Sequence, residues 1–276
     1  MLLTRDPKQL VVSSRRISLK TSWILRSVGF CLGITLITVL SPATAAQSAP
    51  SQGMLGQVSA AFSGATVVQQ AQLTGNAIWH AGDTEDTGTV TLTVSADGSS
   101  QMQLALNASG QRTESQIGSG SNADCQWAAA DGVPHQVDAG NCWKPMLWFL
   151  PSLSLQPSLV PNYLYTADLG MGNVGSTGNI YRHLQGQLIF PNLSGSLAAD
   201  IAQQSLSDLG LDPVSLLPAV LAYRLHPNDG SPVEIAIEIR FSDYRQINGT
   251  MIPFRIQRYL NGALQLDIQL SAAQLS

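Results

Sequence analysis

Residues 233–270 read VEIAIEIRFSDYRQINGTMIPFRIQRYLNGALQLDIQL, and their spacing decides the fold. Val233, Ile235, Ile237, Ile239 and Phe241 share one parity, and Glu234, Glu238 and Arg240 take the other. Ile252, Phe254 and Ile256 repeat the pattern, as do Leu264, Leu266, Ile268 and Leu270. An apolar period of two marks a strand with one face buried. The turns carry Asn248-Gly249 and Asn261-Gly262, and Asn-Gly tolerates the left-handed backbone of a tight hairpin. With Pro218–Leu225 ahead of them, Val233–Phe241, Met251–Leu260 and Ala263–Leu270 read as four successive antiparallel strands. Such a sheet is wet on one face and covered on the other.

Working outward, Leu73–Trp79, Thr89–Ser95, Gln101–Leu106, Arg112–Ile117 and Asp124–Ala129 also read as strands. SADGSS at 95–100 supplies a hairpin turn between the second and third of these, and His80 lies beside a loop rich in acids (Asp83, Glu85, Asp86). Tyr163–Asp168 and Asn179–Ile189 bring the number to ten or eleven. Met54–Phe62 and Ser196–Leu209 have helical spacing, the second with Leu197, Ile201, Leu206 and Leu209 on one side. The segment 141–161, NCWKPMLWFLPSLSLQPSLVP, is apolar, aromatic and broken by prolines. No internal repeat appears, and no Pro-rich linker follows residue 53. The expected fold is therefore mainly β (α+β), a single large curved antiparallel sheet with a few helices on its concave face.

The first 46 residues differ from the rest. They hold six of the fourteen Lys and Arg residues, then an uncharged apolar run at Ser27–Leu40, then SPATAA. A basic flank, a short apolar core and small residues at Ala43 and Ala45 predict a signal peptide cleaved near Ala45 or Ala46. The 14-residue core falls short of the ~20 residues of a membrane span. An uncleaved anchor over Trp23–Leu40 is the alternative. SRRISLK at 14–20 resembles the twin-arginine export signal, with Ser18 where that signal has Phe. The expected organisation is a signal peptide at 1–46, a linker at 47–53 and one domain at 54–276, in the periplasm or associated with the cell envelope.

Beyond residue 46, eight Arg and Lys face seventeen Asp and Glu, a net charge of −9. That surface repels phosphate backbones, so nucleic acid is excluded as a partner. Two cysteines remain, Cys125 and Cys142, which in an exported chain read as a disulfide. It would join neighbouring strands across the Asp131-Gly132 turn, or tie one strand to the segment after it. Closing that loop restricts the unfolded chain by about 3 kcal/mol.

Motifs of chemistry are weak. GMGNVG at 170–175 has the glycine spacing of a dinucleotide site, but a strand pattern and not a helix follows, so it reads as a turn. There is no GxSxG, HExxH or CxxC, and His80, His135, His183 and His226 are scattered. No cofactor, metal or catalytic residue is expected. A hydrolase would need a His placed in space beside a Ser or an acid in an open cleft.

IEIRFSDYRQINGTMIPFRIQRYLNGALQLDIQL, with Ser242-Asp243-Tyr244-Arg245, Ile252-Pro253-Phe254 and Asn261-Gly262, resembles the LolA/LolB-like outer-membrane lipoprotein carriers. The resemblance covers about half of the chain beyond residue 46. It implies an unclosed half-barrel lidded by helices, with a cavity for lipoprotein acyl chains. The carriers' gating residues map onto no identifiable positions here. The expected function is a non-enzymatic exported protein holding an apolar or amphipathic ligand, a lipid or a lipoprotein acyl chain, between sheet and helices. The alternative is an envelope interaction module docking a protein partner. Membrane contact is expected to be transient, through the signal segment. Trp127, Trp148, Phe149, Phe241, Ile252, Phe254 and Ile256 are the candidate cavity wall, with plain core as the competing reading. Arg258 shares the inner parity, where it meets a ligand's polar head or pairs with an acid.

Overall fold

The structure is a computed structural model that describes residues 49–62, 67–118, 123–142, 150–155, 164–190, 193–226 and 233–276. In chain order the elements are α1 (Ala49–Phe62), β1 (Gln70–Ala81), β2 (Thr84–Ser95), β3 (Ser100–Leu106), β4 (Gly110–Ile117), β5 (Asp124–Ala128) and β6 (His135–Gln136). Then come α2 (Ala139–Cys142), α3 (Pro151–Ser154), β7 (Leu164–Asn173), β8 (Ile180–Leu188), α4 (Gly195–Gln204) and β9 (Ser207–Leu211). The chain finishes with β10 (Pro218–Leu225), β11 (Ile235–Ile247), β12 (Thr250–Leu260) and β13 (Ala263–Leu275).

All thirteen strands belong to one antiparallel sheet, in the order β6-β5-β4-β3-β2-β1-β13-β12-β11-β10-β9-β8-β7. The chain walks outward from the centre along β1 to β6, crosses to the far edge through α2 and α3, and walks back along β7 to β13. The sheet does not close: β6 and β7 stand at opposite ends of that order. The Asn-Gly hairpins are as expected. Asn248 and Gly249 have φ of 48° and 84°, Asn261 and Gly262 47° and 83°, the paired left-handed residues of a two-residue loop. They fix the pairs Ile247–Thr250 and Leu260–Ala263, and between β12 and β13 the register then shifts once, at Arg258/Tyr259, so that Leu264 pairs with Tyr259 and Leu266 with Arg258.

The core lies on the concave face. Met54, Val58 and Phe62 project from one side of α1, four residues apart, and Leu150 and Leu153 come from α3. They pack against Leu73, Leu92, Leu104, Ile239, Phe241, Ile252, Phe254, Ile256, Leu266 and Ile268 of the sheet. Each of these is at most 5 % exposed. A smaller cluster, Val174, Tyr181 and Val220, sits on the opposite face, where the β7–β8 turn folds back over the sheet.

Several expectations change. The strands number thirteen rather than ten or eleven, because β6 and β9 are added. Ser207–Leu209 was expected to end the helix at Ser196–Leu209, but Ser207–Leu211 is β9 and the helix stops at Gln204. There Ser205 Oγ donates to the Ile201 carbonyl and accepts from the Leu188 amide, which anchors the chain against β8. The next residues then alternate as a strand. Gly210 allows this: a Cβ there would lie 2.6 Å from Val220 and 2.9 Å from the Tyr181 ring. At the N-terminal side, the helix begins at Ala49 and takes in part of the expected linker at 47–53. Of the acid-rich stretch after His80 only Asp83 lies in a turn, with Gly82; β1 and β2 pair through to Ala81–Thr84, which puts Glu85 and Asp86 in β2. Asp86 there binds the β3–β4 turn, accepting from the amides of Ala108 and Ser109. Of GMGNVG, expected as a turn, Gly170–Asn173 extend β7 and only Val174 and Gly175 lead into the turn to β8.

Candidate functional site

The concave face is not uniform. Toward the end where β3, β4 and β5 confront β10, β11 and β12, the core gives way to a cleft of about 300 Å³. Met102, Leu225, Ile237 and Leu260 supply apolar walls, and Ser100, Gln116 and Gln265 add polar atoms. That volume is at the small end of the range for ligand sites.

At its floor lies an ion pair that crosses the sheet. Arg258 on β12 donates to Glu114 on β4 through both terminal nitrogens, at 2.7 and 2.8 Å. Five strand-to-strand steps separate β4 from β12. At about 4.8 Å each they span roughly 24 Å along the sheet, beyond the reach of two side chains. The contact therefore measures how tightly the sheet curls. The Arg258 side chain is 9 % exposed and that of Glu114 37 %. Burial alone would lower the Arg258 pKa, but the Glu114 charge and its hydrogen bonds outweigh it and hold the guanidinium charged. Tyr223 of β10 stands beside the pair. Burial, chiefly, raises its phenol pKa, and the charge of Arg258 only partly offsets that. Trp79 of β1 lies beneath, with the Arg112 guanidinium 4.4 Å and that of Arg258 5.8 Å from its ring centroid.

The outer wall is made by β5 and α2. Cys125 on β5 is bonded to Cys142 at the end of α2, with Cα atoms 5.8 Å apart, so the disulfide ties a strand to the segment after it. Both cysteines face the cleft. Trp127 lies beside them, 38 % exposed and stacked on the His135 ring at 4.3 Å. Asn141, next to Cys142, reaches to the end of β10: its Nδ2 donates to the His226 carbonyl, and its Oδ1 accepts from the His226 amide at 2.8 Å.

Of the sequence-derived candidates, Trp127 and Arg258 line this cleft together with Cys125 and Cys142. Phe241, Ile252, Phe254 and Ile256 have the inward orientation expected, but they lie in the packed core and not along the cleft. Trp148 and Phe149 fall outside the described residues. Arg258 pairs with an acid, one of the two outcomes its parity allowed. Glu114, Tyr223, Trp79 and Asn141 were missed. Glu114 carried a signal, since its parity in β4 puts a charge on the covered face opposite Met102. Asn141 carried none.

A second cluster sits on the convex face. Glu238 accepts from the Ser176 amide and hydroxyl at 2.6 and 2.8 Å and from Arg240 Nε, locking the β7–β8 turn to β11. Burial would raise its pKa, but these donors together hold it below the ordinary carboxylate value. His183 lies 2.8 Å from Asp208 on the same side. That His–acid pair faces away from the cleft. Among the described residues no group of three or more His, Cys, Asp and Glu could hold a metal ion, and no helix is long and apolar enough to cross a membrane.

Solved structures share this architecture. A putative outer membrane lipoprotein-sorting protein domain from Vibrio parahaemolyticus matches with a TM-score of 0.50 and 8 % identity over 82 % of this chain and 92 % of that one. A DUF1329 family protein from Desulfovibrio piger matches with a TM-score of 0.50 and 12 % identity over 82 % and 93 %. The chain shares the fold of these two structures. A LolA superfamily protein from Nitrosomonas europaea has a TM-score of 0.49 at 13 % identity, over 82 % of this chain and 93 % of that one. No family model matches the sequence, and neither does any curated protein. At these identities the LolA-like likeness is one of fold.

Proposed function

We propose that the protein is a non-enzymatic component of the cell envelope whose cleft holds the apolar part of an amphipathic ligand, a lipid or a lipoprotein acyl chain. The observation that carries this reading is the space left between sheet and α2 on the concave face. Apolar walls at Met102, Leu225, Ile237 and Leu260 suit a hydrocarbon chain. The Arg258–Glu114 pair, Tyr223 and the polar rim suit the end that bears a head group. The lipoprotein-sorting domains of the same LolA-like fold support it by analogy of fold alone. The candidate wall residues divide under this reading: Trp127 and Arg258 touch the ligand, while Phe241, Ile252, Phe254 and Ile256 brace the floor from within the core.

Residues 1–46 act here as the export signal, and the disulfide suits an oxidising compartment beyond the inner membrane. Native mass spectrometry of protein purified from the envelope fraction tests the reading. A mass increment matching a lipid or acyl chain is expected, and it should disappear in an Ile237→Arg variant that still folds. Protein that carries no increment and takes up no fatty acid on titration would sink the idea.

A second reading has its own observation. Leu169, Met171 and Ile180, at the β7–β8 hairpin on the sheet's far edge, are each more than half exposed. An envelope protein docking there would make the molecule an interaction module. Loss of a crosslinked partner in a Met171→Glu variant, with lipid uptake unchanged, would favour that reading.

A further inference from the structure

The α2 segment holds the two limbs of the open sheet together, and it does so with two attachments of very different strength. On one limb it is covalent, Cys142 to Cys125 of β5. On the other it is non-covalent, made by packing on α4 and by Asn141, which donates to and accepts from the backbone of His226 just past β10. The fit around it is close. α2 packs against β5 and α4, and a Cβ on Gly140 would come within 2.2 Å of the Gln204 amide oxygen. Cys125, Val137, Asn141 and Cys142 all line the cleft, so this segment is also its side wall.

We propose that α2 is a clasp that gates the cleft, opening at the Asn141–His226 latch and retained throughout by the Cys125–Cys142 bond. The asymmetry dictates the order of events. Two amide hydrogen bonds break reversibly at ordinary temperature, while the disulfide persists unless a thiol attacks it. The strap therefore swings away from β10 while staying on β5, and the tether returns it to the same seat. No redox change is needed for opening. The gating role rests on the ligand reading above, but the clasp itself does not.

The decisive variant is Asn141→Ala in the full chain with the disulfide intact. Losing both bonds should raise the open population about thirtyfold, as roughly 2 kcal/mol corresponds to that factor. Hydrogen exchange followed by mass spectrometry should show that acceleration in peptides covering 137–142 and the end of β10, with β5, β12 and β13 unchanged. Stopped-flow binding of 1-anilinonaphthalene-8-sulfonate should show association and dissociation quickened by a similar factor, the dissociation constant moving by less than about threefold. Unaltered exchange in α2, or exchange that rises in β5 and β12 equally, overturns the clasp. Accelerated exchange with unaltered probe kinetics overturns its role as gate. If the wild-type protein binds no probe, the ligand reading falls, and exchange alone decides the clasp.

Discussion

The two ends of the concave face are built from the same sheet and the same alternation, yet one is solid and the other hollow. Under α1 and α3 the inward positions are Leu, Ile, Val and Phe almost without exception. Around the cleft Met102, Leu225, Ile237 and Leu260 are joined by Glu114, Gln116, Trp127, Tyr223 and Arg258. Branched aliphatic side chains interdigitate to crystal-like density, and nothing is left over. Polar and charged side chains first have to satisfy their hydrogen bonds, which fixes their directions and stops them from collapsing into the remaining space. The hollow persists because Arg258 is held by Glu114 and α2 is held by its two attachments.

The solid end is where a substitution should cost most. Phe62→Ala removes a side chain that is 1 % exposed at the C-terminal end of α1. A loss of about 3–5 kcal/mol is expected from the cavity and the lost transfer energy together. Urea titration reads it, and a loss below about 1 kcal/mol would mean that α1 is not part of the cooperative core.

At the hollow end the ion pair is the point to break. Glu114→Gln leaves the Arg258 guanidinium without its carboxylate. Buried pairs broken on one side cost about 3–5 kcal/mol, and the partial exposure of Glu114 discounts this to roughly 2 kcal/mol. Replacing both, as Glu114→Leu with Arg258→Met, should recover most of it, because the desolvation cost of the charge goes too. A double variant no more stable than Glu114→Gln would show that the pair carries more than its own charge balance.

The smallest effect belongs to the convex face, outside the comparison, and serves as its control. Glu238 has a folded pKa below its ordinary 4.5, so its contribution is present at neutral pH. It is lost as pH falls below about 4.5 and through the depressed folded value, where the carboxylate takes up its proton. Glu238→Gln should therefore lower the melting temperature at pH 7 by a few degrees and leave it nearly unchanged at pH 3. An equal deficit at both values would mean that the hydrogen-bond geometry, and not the charge, secures the β7–β8 turn.

The sheet was legible because its signals are local. Asn-Gly turns set the register of β11 with β12 and start that of β12 with β13, which shifts once at Arg258/Tyr259. β9 was not, since the helical spacing of Ser196–Leu209 runs into its five residues and overrode their alternation. The long β1–β2 hairpin was hidden behind its acids, which bind the neighbouring turn from within a strand. For the site, inward parity was readable at Arg258 and, in hindsight, at Glu114, because a charge on a covered face requires a partner. What no local pattern contains is which of the inward positions meet across the curve. That depends on how far the sheet bends and on α2, whose four residues have no periodicity to read.

The order of the strands has one more consequence, for how the molecule is made. β1 and β13 lie side by side in the middle of the sheet, with Ala71 opposite Leu275. The hairpins on either side join neighbours in sequence and can form as the chain emerges, but this central seam joins its most distant parts. Loop closure over such a separation is slow, so the two limbs exist for a time as separate curved sheets with bare inner faces. During that interval the limbs are open to other greasy surfaces.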